Sequence, residues 1–86
     1  MALYEIRFRR SADKDLGRLD ASVQRRVMKA VEELAKVPRP SGCKKLHGSD
    51  DTYRIRVGDY RVVYAVDDSA LIVAIERIRH RREVYR

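Results

Sequence analysis

Three arginines set around one tight turn carry the clearest chemical signal in this chain. In YRIRVGDYRVVY, from Tyr53 to Tyr64, two alternating segments flank Gly58-Asp59. Glycine in the first place of a two-residue loop marks a type II′ hairpin. Side chains alternate with period 2, so Val57 falls opposite Tyr60, Arg56 opposite Arg61, Ile55 opposite Val62, Arg54 opposite Val63 and Tyr53 opposite Tyr64. One face is apolar and aromatic; the other gathers Arg54, Arg56 and Arg61. Like charges directly opposite one another repel by roughly 0.2–1 kcal/mol, a cost that folding alone does not require. A polyanion lying on that face reverses the sign of the interaction. The plainer reading is that long arginines splay into water, as they do on any exposed sheet face.

The other reactive side chains suggest little conventional chemistry. His47 and His80 are far apart in sequence and neither has a partner at the spacing of a zinc motif, so no metal site and no cofactor are expected. Cys43 is a lone loop thiol without a recognisable base and reads as structural or incidental. The surrounding Arg79, Arg81 and Arg82 are expected to favour the neutral form of His80 that a general base needs, which makes it a candidate for that role. Arginines without an ordinary acid/base pair fit one reaction type, cleavage of RNA by its own 2′-hydroxyl. There the substrate supplies the nucleophile, and the protein need only align it and neutralise charge building on the phosphate.

These residues need a scaffold, and composition bounds it. An 86-residue chain is one small domain, here residues 1–86, and 44% hydrophobic with 38% charged residues is a globular balance. Lys+Arg 20 against Asp+Glu 13 gives a formal charge of +7, which favours an acidic partner. From Tyr53 onward every permanent cation is Arg, the side chain suited to bidentate phosphate contact. The absence of a signal-like apolar start, of a membrane-length apolar run and of paired cysteines leads to the expectation of a cytoplasmic protein with no membrane association.

Along the chain, Leu3 to Phe8 alternates as a first strand. Ser11 is expected to cap a short helix reaching about Leu19, and Asp20 a second one with Val23, Val27, Ala30, Val31 and Leu34 at helical spacing. Pro38 and Pro40 end that helix and open a loop or short irregular extension to Thr52, carrying Lys44, Lys45, Leu46 and His47. After the hairpin, Asp67 to Ala70 turns into a strand from Leu71 to Ile78, whose register its turn does not settle, followed by a polar tail from Arg79. The fold class is therefore α+β: an N-terminal strand, a helical hairpin, then three mostly antiparallel strands, with the helices packed on one sheet face and a short C-terminal tail.

The block YRIRVGDYRVVYAVDD, the ending RIRHRREVY and the stretch PSGCKKLHG together resemble the RelE/ParE superfamily of toxins, more closely its RelE branch of messenger-RNA interferases. The resemblance spans essentially the whole chain. It implies a ribosome-dependent endoribonuclease that cuts mRNA in the decoding site, leaving a 2′,3′-cyclic phosphate and a 5′-hydroxyl. It implies that Arg61 stabilises the charged transition state, Arg79 assists at the scissile phosphate or leaving oxygen, and Tyr85 orients or stacks the substrate. Arg56 counts among the catalytic residues, with Arg54, Arg81, Lys44, Lys45 and His80 as substrate-binding ones. Arg54 and Arg56 stand where RelE-type proteins often carry lysines, one of them assigned as a proton acceptor. Arginine stays protonated, so Arg56 is a poor base, and His80, a ribosomal or RNA group, or solvent is left to fill that role. The resemblance further implies a cognate acidic antitoxin, with a possible higher-order toxin–antitoxin complex, and no cofactor. Two other readings keep the fold: a ParE-like toxin that binds DNA gyrase without nuclease activity, and a non-catalytic RNA-binding module.

Overall fold

The computed structural model describes residues 3–84. In chain order the elements are β1 (Glu5–Phe8), α1 (Arg10–Gly17), α2 (Ala21–Lys36), β2 (Lys44–Lys45), β3 (Thr52–Val57), β4 (Tyr60–Asp67), β5 (Ile72–His80) and α3 (Arg81–Val84). The five strands form one sheet in the order β1-β5-β4-β3-β2. Only β1 runs parallel to its neighbour; the other pairings are antiparallel. This is the expected α+β arrangement, with β2 as the short extension inside the expected loop.

The apolar faces decide the layering. On α2, Val27, Val31 and Leu34 are buried at helical spacing, and they meet Val62, Tyr64 and Val66 of β4 and Val73, Ile75 and Ile78 of β5. Tyr53, Ile55, Val57 and Tyr60 of the hairpin pack against this cluster. Each fully buried aliphatic side chain contributes about 1.5–3 kcal/mol. A few of them outweigh the repulsion of an arginine pair, so the fold tolerates charge crowding on its open face.

Two helix details differ from the sequence reading. The N-cap of α1 is Arg9, in extended conformation, not Ser11. Ser11 lies within the helix, where its hydroxyl donates to the Glu76 carbonyl at 2.8 Å, since a partner on β5 is within reach. Helix α1 also stops at Gly17, short of Leu19. Asp20 does occupy the N-cap of α2, and its carbonyl accepts the Gln24 N–H, but its side chain makes no capping bond. The extended Val37, preceding Pro38, ends that helix.

The β3–β4 hairpin has the expected register from Val57↔Tyr60 to Tyr53↔Tyr64. Gly58 sits at φ +60, and a Cβ there would come within 2.7 Å of the Arg26 guanidinium on α2. Both the left-handed backbone and the close approach call for glycine.

The last strand runs two residues beyond the expected Ile78. From its four-residue turn, β5 pairs with β4 as Asp67↔Ile72 through Tyr64↔Ile75; the register then shifts, and resumes as Val63↔Arg77 through Tyr60↔His80. Glu76 is the extra residue, a β-bulge. Without it, continued pairing would set Ile78 opposite Arg61 on the open face and turn Arg79 toward the helices. Burial of Ile78 selects the bulged alternative. Arg79 and His80 therefore belong to the sheet, not to the tail.

A polar latch fastens the loop after α2 to the far end of the sheet. The Arg39 guanidinium donates to both carboxylate oxygens of Asp68 (3.2 and 2.8 Å) and to the Tyr53 hydroxyl (2.9 Å), and it stacks over the Tyr53 ring. Tyr4 donates its hydroxyl to Asp68 at 2.6 Å, and the buried Tyr64 donates to the Pro38 carbonyl at 2.8 Å. The hydrogen bonds from Arg39 and then Tyr4 hold the Asp68 carboxyl below its usual pKa. A carboxylate with a depressed folded-state pKa stabilises fully above its unfolded pKa, and that contribution is lost as pH falls through the lowered value. Asp68→Asn should therefore melt below the wild type at neutral pH, and the two melting curves should converge in acid. A gap that persists at low pH would assign the latch to packing instead.

Candidate active site

On the open face, opposite the helices, cross-strand pairing aligns Arg56 of β3, Arg61 of β4 and Arg79 of β5. Adjacent strands lie about 4.8 Å apart, so the three side chains start within a span of about 10 Å. The next row on the same face carries Lys44, Arg54, Val63 and Arg77. Gly42, Lys44, Arg54, Ile55, Arg56 and Arg61 line an open groove of about 260 Å³. Arg56 is exposed and donates its Nε–H to the Gly58 carbonyl at 2.9 Å, which anchors it at the hairpin tip. Arg54, Arg61 and Arg79 are half-buried. Among the described residues, neither Arg54 nor Arg56 forms an ion pair with a carboxylate.

The remaining sequence candidates divide between faces. Lys44 stands opposite Arg54 and joins the groove; Lys45 stands opposite Tyr53 and belongs to the other face. His80 pairs with Tyr60, whose ring it meets edge-on at 5.1 Å, so strand alternation turns it away from Arg61 and Arg79. Its Nδ1 accepts the Arg82 backbone N–H at 3.2 Å. His80 thus helps shape the chain's departure from β5 and does not face the arginine row, contrary to its candidacy as base and substrate contact there. Arg81 is exposed on α3, and its backbone N–H reaches the Asp59 carbonyl at 2.7 Å. Asp59, His80, Arg81 and Arg82 line a separate open depression of about 710 Å³ at the hairpin end. Tyr85 lies outside the described residues. No group of three or more His, Cys, Asp or Glu side chains able to hold a metal ion occurs among the described residues.

Chemically, a row of guanidinium groups on a face free of helices grips a phosphate from several directions and neutralises charge that grows on it. It offers no side chain that readily takes a proton, because arginine is protonated throughout the usual pH range. Such a row suits a reaction whose nucleophile comes with the substrate.

Sequence reading missed the elements that hold this row in place. Asp15, which the sequence does not single out, is buried; it accepts the Ile78 N–H at 2.9 Å and pairs with the Arg77 guanidinium at 3.0 Å. The available signal was the interval Val73-Ile75-Ile78, in which the apolar spacing changes from two to three within one strand.

Comparison with known proteins places this small sheet, with helices on one face and arginines on the other, in the toxin class of type II toxin–antitoxin systems. Residues 6–85 match the family model for the ParE toxin of the type II toxin–antitoxin system parDE. A putative RelE-like toxin protein of Escherichia coli is 36% identical, with 95% of this chain and 90% of that protein covered. The mRNA interferase toxin RelE of E. coli strain K12 is 33% identical over 95% of this chain and 90% of that one. Among solved structures, the toxin–antitoxin complex RelBE2 of Mycobacterium tuberculosis superimposes with a TM-score of 0.83 at 30% identity, covering 93% of each chain. This chain belongs to the RelE/ParE toxin superfamily, as a RelE-like member.

Proposed function

We propose that this chain is the toxin of a type II toxin–antitoxin pair and a metal-independent endoribonuclease that cleaves mRNA in the ribosomal decoding site. The observation that carries the reading is the Arg56–Arg61–Arg79 row on the helix-free face. In the reaction, the 2′-oxygen of one nucleotide bonds to the adjacent phosphorus while the bond to the 5′-oxygen of the next breaks. The products are a 2′,3′-cyclic phosphate and a 5′-hydroxyl. Arg61 and Arg79 stabilise the charge on the phosphate, Arg56, Arg54 and Lys44 hold the flanking backbone, and Tyr85 stacks or orients the substrate. The proton leaving the 2′-hydroxyl passes to a group of the RNA or ribosome, or to solvent, and the departing 5′-oxygen takes up a proton from one of the same sources.

An acidic antitoxin complements the +7 chain and covers the arginine face, which silences the toxin sterically and electrostatically. Capture of RelE-named relatives with RelB partners in solved complexes supports such a partner here. The pair acts in the cytoplasm, and no described helix is long and apolar enough to cross a membrane.

The family model carries the ParE name, which favours a second reading, a gyrase-binding toxin. Incubation with ribosomes programmed by a defined message, followed by analysis of both new ends, tests the proposal beside a gyrase supercoiling assay. Cuts ending in a cyclic phosphate are expected. Intact message with inhibited supercoiling would transfer the chain to the second reading.

A further inference from the structure

Strand β1 accompanies β5 only as far as Phe8↔Ile75. Beyond that point the outer edge of β5 has no strand partner among the described residues, yet this is the segment that carries Arg79. Helix α1 takes over the edge. The Arg9 N–H still reaches the Ile75 carbonyl at 2.9 Å, the Ser11 hydroxyl bonds the Glu76 carbonyl at 2.8 Å, and Asp15 accepts the Ile78 N–H at 2.9 Å. The same carboxylate takes Nε and Nη2 of Arg77, at 3.0 and 3.3 Å. Asp15 is only 7% exposed, and a carboxylate this buried persists only where donors compensate its lost hydration. Here its donors among the described residues are the two that follow the bulge, Arg77 and Ile78.

We infer that Asp15 is a positioning residue for the ribonuclease reaction: it clamps the bulged segment of β5 so that Arg79 stands beside Arg61. The inference rests on the functional reading above. Burial of Ile78 already selects the phase of the strand, so the clamp governs precision, not register. A bulge bends and twists its strand, and an edge without a partner leaves that distortion unconstrained. Arg79 follows Ile78 directly, so play at the Ile78 amide becomes play at the guanidinium.

The test pairs single-turnover cleavage on message-programmed ribosomes with amide hydrogen exchange of the free protein. Asp15→Ala is expected to lower the maximal cleavage rate about 10- to 100-fold with KM changed by less than about threefold, the signature of misplacement in the transition state and not of lost binding. Exchange should quicken at Ile78 and Arg79 and stay unchanged at Val62 and Val73. Asp15→Asn, which keeps an oxygen for the Ile78 N–H, should recover most of the rate. Should Asp15→Ala fail to fold, Ser11→Ala releases the other anchor of the clamp and is expected to show the same pattern more weakly. A folded Asp15→Ala that cleaves at the wild-type rate, or exchange that rises uniformly across the sheet, overturns the inference. A wild-type protein that does not cleave at all is a different result, and removes the ribonuclease reading itself.

Discussion

Arg61→Ala and Arg79→Ala should each slow message cleavage by about 10²–10³-fold, the usual consequence of removing one preorganised donor from a site of developing charge. Both side chains lie on the open face, outside the apolar cluster formed by α2, β4 and β5, so the core survives either change. Melting temperature should accordingly shift by only a few degrees, in contrast with the collapse in rate. Lysine substitutions should recover part of the loss, because a point charge still attracts the phosphate while the two-pronged guanidinium geometry is gone. The double variant should fall short of the product of the single effects, since neighbours acting on one phosphate do not contribute independently. Arg56→Ala should cost less: Arg56 is exposed, and its Nε–H is engaged by the Gly58 carbonyl. Rates near wild type in both single variants would leave the arginine row without a catalytic role.

Replacing the 2′-hydroxyl by hydrogen on the nucleotide preceding the cut should abolish cleavage at that bond, the largest effect expected of any single change. The proposed mechanism takes its attacking oxygen from the RNA, because the described part of the site gathers arginines, which stay protonated, and turns His80 to the opposite face. The modified message should still bind, since the phosphates gripped by the basic face are untouched. A competition assay separates the two effects: the deoxy-substituted message should inhibit cleavage of an unmodified one while remaining whole. Continued cutting at the substituted position would show that the nucleophile comes from elsewhere, and the cyclic-phosphate mechanism would fall with it. A gyrase-directed toxin would be indifferent to this substitution, so the experiment also discriminates between the two branches of the superfamily.

Conditions alter the binding step more than the chemistry. Contacts between arginines and backbone phosphates release counterions, so affinity for RNA should decline steeply with added salt.

Much of this molecule is written locally in the chain. The turn at Gly58-Asp59, the face shared by Arg54, Arg56 and Arg61, and the helical stripe Val27-Val31-Leu34 each follow from spacings of a few residues, because strand and helix periods are properties of the backbone itself. What the tertiary structure alone decided concerns residues whose neighbours are distant in sequence. Arg79 stands beside Arg61 because the core accepts Ile78 and the strand bulges at Glu76 to allow it, an outcome settled by packing against helices 40 or more positions away. The same alternation that brings Arg79 onto the open face carries His80, next in the chain, to the other side. Asp15 becomes a clamp only once α1 lies along the edge that β1 abandons. Periodicity specifies which side chains share a face, whereas the phase of one face against another is set by what must be buried, and that is known only when the layers meet.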